Sequence, residues 1–121
     1  MIVETDFSIS ERIEDGTAVL CIGGEADVVT APQIRDALLS IADCGEPVIV
    51  DLSSLSFIDS TALGVLVVAR RRFTEGDGEL RLAGLQPHVR KVFDITGLSD
   101  VFPIHVDTVQ AKRALLHAEA S

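Results

Sequence analysis

Three adjacent residues, Asp59, Ser60 and Thr61, place a carboxylate and two hydroxyls directly before an almost wholly apolar stretch. Side chains of these types cap the starts of helices, because the first backbone N–H groups of a helix have no partner within it. The same N–H groups and the helix dipole also favour a bound phosphate. Ser60 is therefore a candidate both for a helix cap and for a phosphorylation switch.

A hydrolytic role for Ser60 is the enzymatic alternative. In the G-x-S-x-G turn of serine hydrolases, glycines two positions before and after the nucleophile permit a strained turn. Ile58 and Ala62 occupy those positions here. No supporting catalytic motif surrounds any of the three histidines, which are His88, His105 and His117. We therefore expect no catalytic residue and predict that the chain is not an enzyme.

The sequence carries no recognisable motif for a metal or a cofactor. The sequence lacks H-x-x-x-H, C-x-x-C and EF-hand spacings, a G-x-G-x-x-G fingerprint and a Walker lysine. Cys21 and Cys44 match no metal or redox spacing and are typical of free thiols in a reducing compartment. We expect no metal and no cofactor, so any phosphate on the chain must come from another protein.

Composition indicates one small acidic domain spanning residues 1–121. The sequence is 47% hydrophobic without Trp or Tyr, so its core must be aliphatic, as in sheets covered by helices. The net charge of −9 disfavours binding to nucleic acid and to anionic lipid. The basic run at residues 70–72 is typical of a solvated helix end. With no signal peptide and no apolar run of the ~20 residues that span a bilayer, we expect a cytoplasmic protein without membrane insertion.

The pattern of apolar residues predicts a β-β-α-β-α-β-α-(β)-α order. A hairpin over residues 7–22 turns at Asp15-Gly16, and Gly23-Gly24 ends its second strand. Thr30 and Gln33 form a capping box for the first helix, which stops at residues 45–47.

The second half of the chain continues this alternation. The later segments are a strand at 48–52, a serine-rich loop, a helix from Ser60 to about Phe73, a strand at 80–83, a helix at 87–97, an edge strand at 101–106 and a helix capped by Asp107 and Gln110 through Leu116. The predicted fold class is α/β: one domain with a mixed sheet of four to five strands, an N-terminal hairpin and about four covering helices.

Four segments, in order, resemble the anti-sigma factor antagonists of bacteria, which have the STAS domain fold. They are G-E-A-D with T-A-P (residues 24–27 and 30–32), V-D-L (50–52), F-I-D-S-T-A-L-G (57–64), and T-G-L with V-F (96–98 and 101–102). The resemblance implies a binding partner that is both anti-sigma factor and serine kinase, with an ATPase domain. Unphosphorylated antagonist binds this partner and frees the sigma factor, whereas phosphorylated antagonist does not bind.

By position, the phosphorylated serine of this family corresponds to Ser60, and a phosphoserine phosphatase would restore binding. Candidate partner-binding residues are Glu25, Asp27, Asp59, Thr61 and Gly64. A glycine inside a helix is unfavourable by ~1 kcal/mol, so Gly64 suggests close approach of a partner or of a neighbouring element.

Several alternatives remain open from the sequence. Ser60 or Asp59 could simply cap the helix, and Asp27 could cap the helix after Thr30. Ala62 stands where the family usually has glycine, and its methyl group could impede the kinase. The alternative function is a non-phosphorylated STAS scaffold subunit in a stress-signalling or membrane-transport complex.

Overall fold

The computed structural model describes residues 7–120 and has six strands and four α-helices in this range. The strands are β1 (Ser8–Glu14), β2 (Thr17–Ala26), β3 (Val48–Asp51), β4 (Leu55–Ile58), β5 (Leu80–Ala83) and β6 (Ile104–His105). The helices are α1 (Ala31–Asp43), α2 (Ser60–Glu75), α3 (Pro87–Ile95) and α4 (Thr108–Ala120), with a 3-10 turn at Leu98–Asp100.

The strands form one mixed sheet in the order β1-β2-β3-β5-β6, and β4 pairs separately with β2. The β1–β2 pair is antiparallel, and all the other pairs are parallel. At the hairpin turn, Asp15 and Gly16 both have positive φ, as a two-residue turn matching the strand twist requires. The predicted α/β class, mixed sheet and N-terminal hairpin are confirmed, although the sheet has six strands instead of four to five.

Strand β2 is longer than predicted and serves two neighbours. Residues 18–21 pair with β3, and residues 24–26 pair with β4. The register of the β4 pairing shifts between Gly24 and Glu25. The prediction that Gly23-Gly24 ends this strand was wrong, as was the assignment of residues 55–58 to a loop. β4 has no alternating pattern, because Leu55 and Ile58 are buried and the two residues between them are exposed.

The core is mainly aliphatic, with three buried phenylalanines, and lies mostly between one face of the sheet and helices α1, α2 and α3. Leu20, Val50 and Leu82 from three adjacent strands are fully buried in it. On the opposite face, α4 packs Ala111 and Leu115 against the sheet. The site-bearing helix α2 is thus held on one side of a sheet that is covered on both faces.

The helix ends only partly follow the predicted caps. Asp107 accepts the N–H of Gln110 at 2.9 Å and caps α4, as expected. Thr30 has helical backbone angles and makes no side-chain cap, so the Thr30–Gln33 capping box is wrong. The predicted edge strand shrinks to two residues after Pro103, and both α2 and α4 extend beyond their predicted ends.

Candidate functional site

Asp59 immediately precedes α2 and caps its N-terminus. Its backbone is extended, and its Oδ1 accepts the N–H of Ala62 at 2.9 Å, which satisfies one of the unpaired donors at the helix start. Of the two capping candidates, Asp59 is therefore the cap, and Ser60 is the first residue inside the helix.

The other carboxylate oxygen of Asp59 ties α2 to the loop between β2 and α1. Oδ2 accepts the backbone N–H of Val28 at 3.0 Å. The Asp59 backbone N–H donates to the carbonyl of Ala26 at 3.0 Å, because β2 and β4 end side by side. Two segments far apart in sequence thus meet at one carboxylate.

Asp27 organises the loop that Asp59 holds. Its Oδ1 accepts the backbone N–H groups of Val29 and Thr30, each at 3.0 Å. The Asp27 backbone N–H in turn donates to the Thr30 hydroxyl at 2.9 Å. Asp27 therefore accepts backbone N–H groups just before α1, which is close to the capping role that the sequence left open for it. Its Oδ2 accepts no hydrogen bond from residues 7–117.

Ser60 presents its hydroxyl to solvent. The residue is exposed, as is Thr61, and within the described side chains nothing hydrogen-bonds to the Ser60 hydroxyl. A phosphoryl group on Ser60 would lie at the N-terminus of a 16-residue helix, where the dipole and the unpaired N–H groups favour negative charge. The helix terminus therefore favours a negative charge at Ser60.

Gly64 is exposed on the surface of α2, whereas Ala62 is buried beneath it. A Cβ atom at Gly64 would meet nothing within 4 Å, so no neighbouring element of the described chain requires glycine there. Ala62 is only 1% exposed and belongs to the core. Its methyl group is buried, and the expectation that it impedes the kinase stays a prediction.

Exposed apolar side chains surround the site, and sequence reasoning missed them. Val28 is 63% exposed, Val29 79% and Phe57 48%. Phe57 pairs across the sheet with Glu25, whose side chain is also exposed. The sequence did contain a signal for this surface. Two adjacent valines stand in the short loop between Asp27 and Thr30, where valine, which is usually buried, is unexpected.

Within residues 7–117, no group of three His, Cys, Asp or Glu side chains is arranged to hold a metal ion. Among the helices described, none is both long and apolar enough to cross a membrane.

Comparison with known proteins places this geometry in context. The STAS domain family model matches residues 8–111. The anti-sigma-B factor antagonist of Bacillus subtilis is 39% identical over 83 residues, which cover 69% of this chain and 76% of that protein.

Solved structures give the same result. The crystal structure of an anti-sigma factor antagonist from Mycobacterium paratuberculosis superposes with a TM-score of 0.83 at 25% identity, covering 94% of this chain and 97% of that one. The Bacillus cell fate determinant SpoIIAA in its phosphorylated form matches with a TM-score of 0.67 at 25% identity, covering 89% of this chain and 98% of that one.

Proposed function

The chain belongs to the STAS domain family, and on this premise we propose that it is an anti-sigma factor antagonist switched off by phosphorylation at Ser60. In the unphosphorylated state it binds an anti-sigma factor that is also a serine kinase with an ATPase domain, and the sigma factor is released. A phosphoserine phosphatase restores the binding state. The protein acts in the cytoplasm as a single domain over residues 1–121, by binding and not by catalysis.

The observation that carries this proposal is the exposed hydroxyl of Ser60 at the first position of α2. The Asp59 cap fixes the backbone before it, so a kinase meets an accessible hydroxyl on an ordered surface. The similarity to SpoIIAA, which was solved in a phosphorylated form, supports the same type of switch.

The physical effect of the phosphate lies at the surface. Phosphorylation adds about −1.5 to −2 charges. The helix dipole favours this charge by ~0.3–1 kcal/mol, so the fold is retained. A partner pocket closed around a neutral hydroxyl beside Asp27 and Asp59 would then contain desolvated like charges, at a cost of several kcal/mol. Because ~1.4 kcal/mol is a tenfold change in affinity, this cost is sufficient to release the partner.

The partner surface is proposed to extend on both sides of Ser60. Asp27 offers its free oxygen, Thr61 its exposed hydroxyl, and Gly64 a place where a partner backbone can approach closely. Glu25 lies at the edge of the same surface, and Asp59 both belongs to it and holds it together through Val28. The exposed Val28 and Val29 add apolar area that binding would remove from water.

The test uses purified chain with each ATPase-domain anti-sigma factor encoded by the source organism. With ATP, one of them should add a single phosphoryl group by intact-mass measurement. Ser60→Ala should remove the labelling, and the neighbouring Thr61→Ala should retain it. Isothermal titration calorimetry should detect the complex with the unphosphorylated chain and no complex after phosphorylation. If the Ser60→Ala variant still gains a phosphoryl group, Ser60 is not the phosphorylation site. If the wild-type chain binds an anti-sigma factor without any phosphate transfer, the alternative of a non-phosphorylated scaffold subunit is favoured.

A further inference from the structure

A groove of about 270 Å³ lies between the second half of α2 and the turn that follows α3. We call it the α2 groove. Its lining residues are Val67, Arg70, Arg71, Thr74, Glu75 and Val101. The mechanism proposed above makes no use of it.

The α2 groove is locally basic on a chain of net charge −9. Of the three consecutive arginines on α2, Arg72 is matched by Asp43, whose Oδ1 accepts from it at 2.7 Å. Arg70 and Arg71 form no ion pair with any side chain in residues 7–117. One carboxylate, Glu75, lines the end of the groove. Two cationic groups therefore have no acidic partner among the side chains of residues 7–117.

The groove also offers apolar area. Val101 is exposed, and Val67 lies half-buried on the opposite wall. Val68, the next residue of α2, is 55% exposed. An aliphatic side chain inserted into the groove would remove the surfaces of Val67 and Val101 from water, whereas Val68 lies outside the groove lining.

The groove is continuous with the Ser60 site along one face of α2. Thr61, Gly64, Val68 and Arg71 are all exposed and follow one another at intervals of three or four residues. This spacing places them in one row on a helix. At 1.5 Å per residue, the row from Thr61 to Arg71 is about 15 Å long, well within one protein interface.

We infer that the α2 groove binds an acidic segment carrying an aliphatic side chain, contributed by the same partner that engages Ser60. This inference rests on the proposed function for the identity of the partner. The carboxylates of the segment would pair with Arg70 and Arg71, and its aliphatic side chain would lie between Val67 and Val101. Such complementary charge accelerates encounter and selects between partners.

The first experiment uses a probe that does not depend on the partner. An acidic peptide of sequence Glu-Leu-Asp-Glu-Leu-Glu is titrated into the ¹⁵N-labelled chain. Amide shifts should be confined to residues 67–75 and Val101, and binding should weaken as salt rises above about 0.1 M. Arg71→Glu should lower the peptide affinity by about tenfold or more.

The matched control is Arg113→Glu, which makes the same charge change at an exposed residue of α4 on the other face of the sheet. It should leave peptide binding unchanged. Because glutamate is unfavourable near a helix C-terminus, Arg71→Gln is measured beside it, and both variants are checked by circular dichroism.

Four results would overturn the inference. Three of them are peptide shifts outside the groove, equal losses in the Arg71 and Arg113 variants, and binding of a DNA oligonucleotide or of anionic vesicles in place of the peptide. Concentration-dependent shifts at 67–75 without peptide would assign the groove to a second copy of the chain and would also overturn it.

The second experiment titrates the anti-sigma factor with the same variants. Arg71→Glu should weaken the complex by about tenfold, and Arg113→Glu should not. If Ser60 phosphorylation releases the partner but Arg71→Glu has no effect, the proposed function stands and the groove inference fails. If no anti-sigma factor binds the wild-type chain, the proposed function fails, and the peptide titration alone decides the groove.

Discussion

The backbone N–H of Val28 donates to Oδ2 of Asp59 at 3.0 Å, although the two residues are 31 positions apart in sequence. The other oxygen of the same carboxylate caps α2 through Ala62. One side chain therefore sets the position of the exposed valine loop relative to the candidate phosphorylation site. If the partner contacts both segments, Asp59 determines their relative geometry.

Replacing Asp59 with alanine should remove the cap of α2 and the bond to Val28 together. We expect a loss of about 1–2 kcal/mol in the free energy of unfolding, measured by urea denaturation. Asp59→Asn keeps one oxygen acceptor and should lose less. A loss in Asp59→Ala no larger than that of the exposed Ser60→Ala would contradict the bridging role.

Ser60→Asp should separate binding from folding. Because Ser60 is exposed and its hydroxyl makes no hydrogen bond with the described side chains or backbone, the unfolding free energy of the variant should stay within about 0.5 kcal/mol of wild type. Its affinity for the anti-sigma factor should nevertheless fall by at least about tenfold, by calorimetry. A collapsed circular dichroism spectrum would contradict a switch that acts at the surface.

Gly64→Ala should raise stability while it weakens binding. Nothing lies within 4 Å of the added methyl group, so the helix should gain about 0.5–1 kcal/mol from the better propensity of alanine. If a partner backbone approaches there, affinity for the anti-sigma factor should drop. A more stable variant with unchanged affinity would remove Gly64 from the proposed interface.

Ala62→Gly tests the position at which this chain departs from the family pattern. It should destabilise the fold by about 1–2 kcal/mol, because it loses a buried methyl group and introduces glycine into a helix. Its rate of phosphorylation should match wild type at a temperature where both are folded. A faster rate would mean that the buried methyl group does restrict the kinase.

His105 should make stability depend on pH. Burial, together with the nearby charge of Arg81, lowers the pKa of His105 below its ordinary value of 6.5. Its Nε2 lies 3.1 Å from a guanidinium nitrogen of Arg81, which can only donate, so the neutral ring is the accepting form. As pH falls below 6.5, the unfolded chain takes up a proton that the folded chain does not, and stability is lost.

The matched variant for this effect is His105→Gln, which can still accept from Arg81. Urea denaturation between about pH 7.5 and 5.5 should show a steeper loss of stability in wild type than in this variant. Identical pH profiles would exclude His105 as the titrating group.

Much of the architecture could be read from local patterns. The hairpin turn at Asp15-Gly16, the aliphatic core and the helix start after residue 59 each follow from conformational preferences or periodicities of a few adjacent residues. These signals also marked Ser60 and Asp27 as site candidates. Such local patterns depend on the backbone preferences and the polarity of a few neighbouring residues, so they can be read without knowledge of the tertiary contacts.

The tertiary structure alone decided where those residues meet. It extended β2 past Gly23-Gly24, made β4 from a segment without alternation, and turned the Ala62 methyl group into the core. It also assigned the cap to Asp59 and joined that residue to Val28. Such contacts depend on the register of strands that are distant in sequence, and local preference does not encode this register. The amino-acid sequence by itself therefore determined most of the elements and the candidate hydroxyl of Ser60, and sheet pairing determined the surface on which that hydroxyl is presented.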